Sequence, residues 1–176
     1  AGSRTIVNTN TLAISDGSGI ASNYTLTNGT LTMTIVPRST TVSGTKTYDG
    51  TTNVSSSNLT SFSNLAGSDT LSLSGTGTIS SADVGTGKTV NISGLTIDNS
   101  SGVGTNYTLS SATVNVTERV IGLSGVRAFD GTNNASSADL SISNLVSGEN
   151  LTLSGSGTLP NATVEMNKAI TLGSLS

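Results

Sequence analysis

The chain has 176 residues, of which 33% are hydrophobic, 3% aromatic and 10% charged, with a net charge of −3. No basic stripe is available to meet a phosphate backbone, no apolar run is long enough to cross a bilayer as a helix, and any core is thin. Cys, His and Trp are missing, which removes the thiol nucleophile, the imidazole base, the usual transition-metal ligands and any disulfide.

Residue 1 opens without a charged n-region or an apolar h-region, so a mature or excised piece is expected. Ser, Thr, Asn and Gly then dominate, a composition shared with disordered linkers. The residue order opposes disorder. "TLTMTIV" (30–36), "TLSLSG" (70–75), "KTVNISGLTI" (88–97, in two halves), "ATVNVT" (112–117) and "LTLSG" (151–155) alternate polar and apolar residues. Period two predicts strands with one buried face, and Thr suits the solvated face of a pleat. "SSADVG" (80–85) is the one stretch with room for a helical turn.

The chain repeats itself. Residues 44–95 align with 125–175 through Asp-Gly, Ser-Asn-Leu, Leu-x-Leu-Ser-Gly-x-Gly and a late Lys, at an offset of 80 or 81. "NYTLTNGTLTMT" (23–34) aligns with "NYTLSSATVNVT" (106–117) at offset 83. Short strands separated by turn signals, in units of about 80 residues, predict all-β tandem domains of small Ig-like β-sandwich type, with a β-grasp-like unit as the alternative. Residues 1–36 match the C-terminal part of a unit, 37–117 a complete unit and 118–176 the N-terminal part of another. Two permuted domains, 1–84 and 85–176, fit the same repeats. Val36–Pro37 and "TER" (117–119) mark the junctions, since Pro ends a ladder and restricts its neighbour.

"TYDGTT" (47–52), "ADVGTGKTVNISGLTI" (82–97), "NYTL" (106–109) and "TMTIVPRSTTVSG" (32–44) resemble, in that order and spacing, the YDG-type repeats of bacterial surface proteins, which occur beside related MBG-type repeats. The second head departs from the pattern: Phe129 replaces Tyr, and "NATVEMNKAI" (161–170) lacks the Val-Gly-x-Gly-Lys run. The resemblance implies stalk or spacer modules in large secreted adhesins, including filamentous haemagglutinin-like exoproteins. It brings no catalytic residues.

The aromatic-Asp-Gly motif occurs as Tyr48, Asp49, Gly50 and again as Phe129, Asp130, Gly131. Gly accepts positive φ and the Asp carboxylate can bond the turn's own N–H groups, so a tight turn is expected. The aromatic ring before it is expected to plug the end of a Val, Ile and Leu core. A catalytic Asp49 beside Tyr48 fails on the second copy, where Phe129 has no hydroxyl, and no base accompanies it.

Other candidates read as structural. Asp16, Asp49, Asp69, Asp83, Asp98 and Asp130 are scattered and lie in no D-x-D-x-D-G calcium loop, so turn roles are expected. Lys88 and Lys168 are aligned and could cross-link to Asn or Asp, but strand-edge protection is the simpler role. Lys46 is the poorer candidate because Arg127 replaces it in the second copy. Asn23, Asn58, Asn106, Asn115, Asn150 and Asn161 head sequons, which Ser- and Thr-rich sequence also makes by chance. Tyr24 and Tyr107 are expected in packing, and Gly85 and Gly87 in a strand connection without phosphate-loop spacing.

The expectation is therefore a non-catalytic structural repeat of an extracellular stalk or fibre, secreted or on the bacterial cell surface, with no cofactor or metal. Its partners would be neighbouring repeats or identical subunits. Two other readings stay open. A self-assembling fibre subunit would join chains by strand addition through Thr5, Ile6, Val7 and Ala169, Ile170, Leu172. A glycan- or mucin-binding module would need clustered exposed aromatics or an acid-rich loop, for host or matrix glycans. Neither nucleic acid nor membrane insertion is expected.

Overall fold

A computed structural model describes residues 2–6, 13–25 and 31–176 of the chain. The described residues form strands joined by turns and single-turn 3-10 segments, an all-β architecture of several small sheets of the sandwich type. Two compact units appear. The first comprises Ala1–Lys46, Thr52–Ser80 and Thr86–Asn115; the second comprises Thr47–Thr51, Ser81–Gly85 and Val116–Ser176.

In the first unit, β1 (Gly2–Ile6) and β2 (Leu31–Ile35) form an antiparallel two-stranded ribbon, with Gly2 opposite Ile35 and Ile6 opposite Leu31. The other strands are β3 (Arg38–Thr47), β4 (Asn53–Ser55), β5 (Leu59–Ser63), β6 (Leu71–Thr78), β7 (Gly85–Val90), β8 (Leu95–Asn99) and β9 (Tyr107–Thr117). They make a four-stranded sheet in the order β5-β3-β9-β7 and a three-stranded sheet in the order β4-β6-β8. Both sheets contribute to the core. Thr40 and Val42 on β3, and Ala112, Val114 and Val116 on β9, are buried at every second residue. Val54, Leu59 and Val90 on other strands, with Ile79 just past β6, close the core. The alternation read from the sequence is thus the pleat turning one face inward.

β3 bulges between Ser43 and Gly44. A Cβ on Gly44 would lie 1.7 Å from the backbone oxygen of Asn58, so only glycine admits this approach. Gly125 repeats the arrangement against the backbone oxygen of Asp139, at 1.9 Å. Thr40 is buried with its hydroxyl donating to the Ser63 carbonyl at 2.5 Å, so its burial leaves no donor unsatisfied.

The second unit repeats part of this plan. β10 (Gly122–Gly125) pairs with β12 (Leu140–Ser143), as β3 pairs with β5. β11 (Asn134–Ser136) pairs with β13 (Ser156–Thr158), as β4 pairs with β6. The bridge between Thr158 and Thr171 repeats the bridge between Thr78 and Asn91. Residues 118–176 hold no counterpart of β9, and only the first two residues of a counterpart of β8, Leu175 and Ser176.

Two expectations fail here for physical reasons. Residues 151–155, "LTLSG", do not form a strand. Their matches 71–75 are held by β8, with Leu71 opposite Asn99 and Gly75 opposite Leu95; residues 118–176 supply only the start of that partner, where Ser176 exchanges backbone hydrogen bonds with Ser154 at 3.0 and 3.2 Å. Residues 80–85 make no helical turn; the Ser81 hydroxyl donates to the Asp83 carboxylate and accepts from the Asp83 N–H at 3.1 Å. Such local side-chain bonding competes with helix.

Candidate functional site

The two Asp-Gly turns have one geometry. Asp49 Oδ1 accepts from the Thr51 N–H and from the Thr51 hydroxyl, both at 2.9 Å, and Gly50 has φ 74°. Asp130 Oδ1 accepts from the Thr132 N–H and hydroxyl at the same 2.9 Å, and Gly131 has φ 78°. The Thr132 N–H, with the Arg127 guanidinium and the Thr132 hydroxyl, holds the Asp130 carboxyl down at about 2. Arg127 pairs with Asp130 and also donates to the Thr132 carbonyl. At the aligned place in the first copy, buried Lys46 donates to the Asn53 carbonyl at 2.5 Å. A cationic residue three places before each Asp was the available signal for this lock.

The aromatics before the turns do not act alike. Phe129 is 67% exposed and plugs nothing. Tyr48 is half-buried, and within the second unit its hydroxyl donates to the Glu149 carboxylate. That bond is the main cause that raises the Tyr48 pKa above its ordinary value. Glu149 aligns with Asp69 of the first unit. Asp69 Oδ2 accepts from the Tyr107 hydroxyl at 2.5 Å, and the Tyr107 oxygen accepts from the Ala66 N–H at 3.1 Å. The Asp69 bond raises the Tyr107 pKa in the same way. Tyr107 is 7% exposed, a packing residue. Its match Tyr24 is 69% exposed; the expected packing fails there.

A second pair of fixtures was not read from the sequence. Asn64 has φ 60° and Asn144 φ 66°, positions where Asn is tolerated because its side chain can bond locally. Arg38 forks onto Asn64, with Nε 2.8 Å from the backbone oxygen and Nη2 2.8 Å from Oδ1, while Asn64 Nδ2 donates to the Ser39 carbonyl at 2.7 Å. Arg119 grips Asn144 identically, at 2.6 and 2.8 Å, and Asn144 Nδ2 reaches the Val120 carbonyl at 2.7 Å. Arg38 and Arg119 recur at the repeat offset, as do the two Asn residues; that recurrence was the signal.

Lys168 Nζ donates to Asn161 Oδ1 at 2.5 Å and to the Thr163 carbonyl, and lies 3.9 Å from the Glu165 carboxylate. The structure thus brings one cross-link candidate together with an Asn, as a hydrogen-bonded clamp on the 161–165 loop. Lys88 lies in β7. Among the described residues, no group of three or more carboxylates is gathered where a metal could sit.

Of the six residues expected in inter-chain strands, Thr5 and Ile6 sit in β1, opposite Thr32 and Leu31. Val7 lies outside the described residues. Ala169, Ile170 and Leu172 fall in no named strand, and Leu172 is exposed. Ile170 instead lines a cavity of about 570 Å³ in the second unit, with Leu123, Ala135, Leu140 and Leu159. These five align with Val90, Val42, Val54, Leu59 and Ile79, all buried core residues of the first unit. The cavity therefore lies where β9 packs in a complete unit.

No curated protein and no solved structure matches the chain. The family model of the YDG domain matches residues 30–114 and again 117–176, well over half of the sequence. With its turn, clamp and strand register each built twice, the chain belongs to the YDG domain family.

Proposed function

We propose that this chain is a non-catalytic structural repeat module, part of the stalk or fibre of an extracellular bacterial adhesin, secreted or held at the cell surface. The observation that carries this reading is repetition of the features that hold the backbone. The same Asp-Gly turn, Arg–Asn clamp and glycine-only approach to a backbone oxygen occur twice in tandem. What recurs is what fixes backbone geometry, and in tandem arrays stability is roughly a sum of unit and interface terms. The absence of Cys suits a chain that crosses oxidising space without mispaired thiols.

The test is location. Intact cells carrying the parent protein are treated with an external protease, and these repeats are followed by antibody. Digestion on intact cells is expected. Protection until lysis would place the repeats inside the cell and overturn the reading.

A further inference from the structure

In the complete repeat, 37–117, the first strand and the last lie side by side. β3 and β9 are neighbours in the order β5-β3-β9-β7. Two hydrogen bonds give their relative direction. The Ser110 hydroxyl donates to the Thr40 carbonyl at 2.9 Å, and the Tyr48 N–H donates to the Thr117 carbonyl at 2.8 Å. The offsets are 70 and 69 residues, so the two strands advance together and the pair is parallel. An antiparallel pair would instead hold the sum of the two residue numbers constant.

Parallel pairing sets where the chain enters and leaves. It enters the pair at Arg38 and leaves at Thr117, at opposite ends of the ladder. The ten residues of β3 put those ends about 30 Å apart, at about 3.3 Å per residue. A pull between residues 36 and 118 therefore runs along the strands and slides one past the other. Neither strand can peel from an edge first, because β5 flanks β3 and β7 flanks β9. Thr40 and Val42 on β3, with Ala112, Val114 and Val116 on β9, turn one face of the pair into the core. Hydrogen bonds beside that dry face are electrostatically stronger than in water. At the entry, the Arg38 fork on Asn64 and the Thr40 hydroxyl on the Ser63 carbonyl tie the start of β3 to the end of β5.

We propose that this repeat is a force-bearing clamp: tension along the chain loads the parallel β3–β9 ladder in shear, so that its hydrogen bonds resist together. Such a module is built for slow unfolding under load, a kinetic property distinct from its equilibrium stability. The proposal rests on the stalk reading for the source of the tension; cell location tests that reading and pulling tests this one.

The experiment is single-molecule force spectroscopy on the full 176-residue chain, which has no Cys, so paired cysteine handles fix the pulling points. Val36→Cys/Glu118→Cys pulls along the ladder. Val36→Cys/Thr105→Cys pulls just before β3 and just before β9, at one end of the ladder, and opens it residue by residue. All three positions are exposed, so the handles leave the core untouched. Unfolding between 36 and 118 should release about 260 Å of chain, at about 3.5 Å per residue less the length already spanned, which identifies the event. A hydrogen bond is lost within about 1 Å of stretch, whereas unzipping frees about 3.3 Å of each strand per residue. For a similar barrier, force scales inversely with that distance. The 36–118 pair should therefore unfold at about threefold higher force, or more, at the same loading rate. Forces that agree within their scatter, or a lower force for 36–118, overturn the proposal.

Discussion

Leu59 and Leu140 are the same residue at matching places in the two copies, and they allow a controlled comparison. Leu59 is 2% exposed, whereas Leu140 is half-buried and borders the cavity of about 570 Å³. Truncating Leu59 to Ala removes three carbons from a closed core, about 0.8 kcal/mol each on transfer. The void left behind adds the rest, for a total of about 2–5 kcal/mol. Truncating Leu140 enlarges a space that is already open, so only a partial transfer loss of about 1 kcal/mol remains. Hydrogen exchange in rising denaturant, resolved on peptides from β4–β6 and from β11–β13, reads each unit separately. Leu59→Ala should shift the first unit's midpoint strongly, and Leu140→Ala should shift the second unit's weakly. Equal shifts, measured where the chain is monomeric, would refute the claim that the second unit's core is open.

Arg38→Lys keeps the charge but cannot fork onto both oxygens of Asn64, and should cost the first unit about 1 kcal/mol in a denaturant titration. Wild-type stability would dismiss the clamp. Gly44→Ala places a Cβ against a backbone oxygen 1.7 Å away and should lower stability by about 3 kcal/mol, at the upper end for overpacking; thermal unfolding reads it, and a neutral result would deny the close approach. The Asp130 carboxyl should titrate near pH 2 by carbon-13 NMR. Because its pKa is depressed on folding, its stabilising contribution is complete above the ordinary 3.8 and is lost as pH falls toward about 2. Arg127→Met should move the titration back toward 3.8, and an unmoved value would remove the guanidinium as a cause.

What was legible in the sequence is what local chemistry decides. Alternation declared the strands of β6 and β9, and Asp-Gly declared turns whose carboxylates cap their own Thr residues. The repeat length followed from matching these marks. What was not legible depends on a partner distant in the chain. "LTLSG" at 151–155 alternates as well as "LSLSG" at 71–75, yet only the latter has β8 beside it. Tyr24 and Tyr107 share their neighbours in sequence, but only Tyr107 meets Asp69 and Ala66. The Arg–Asn clamps were readable in principle, since they recur at the repeat offset; their cue is an αL Asn, which sequence marks only weakly.

The dependence of strand on partner can be tested within one chain. Leu175 aligns with Leu95, so joining a copy of residues 96–117 after Leu175 supplies the counterparts of β8 and β9 to the second unit. The graft brings Ala112, Val114 and Val116, whose side chains are buried on β9, to the cavity lined by Leu123, Leu140, Leu159 and Ile170. Residues 126–128 and 151–155 should then become strand, as 45–47 and 71–75 are. A ladder partner and a covered face arrive together, and sheet stability comes from both. Amide exchange at 151–155 should slow to the rate seen at 71–75, and Leu140→Ala should rise to the cost of Leu59→Ala. If exchange at 151–155 stays fast while the graft is intact, the shortness of β10 and β13 has a cause local to their own sequence, and the cavity is not the seat of a missing strand.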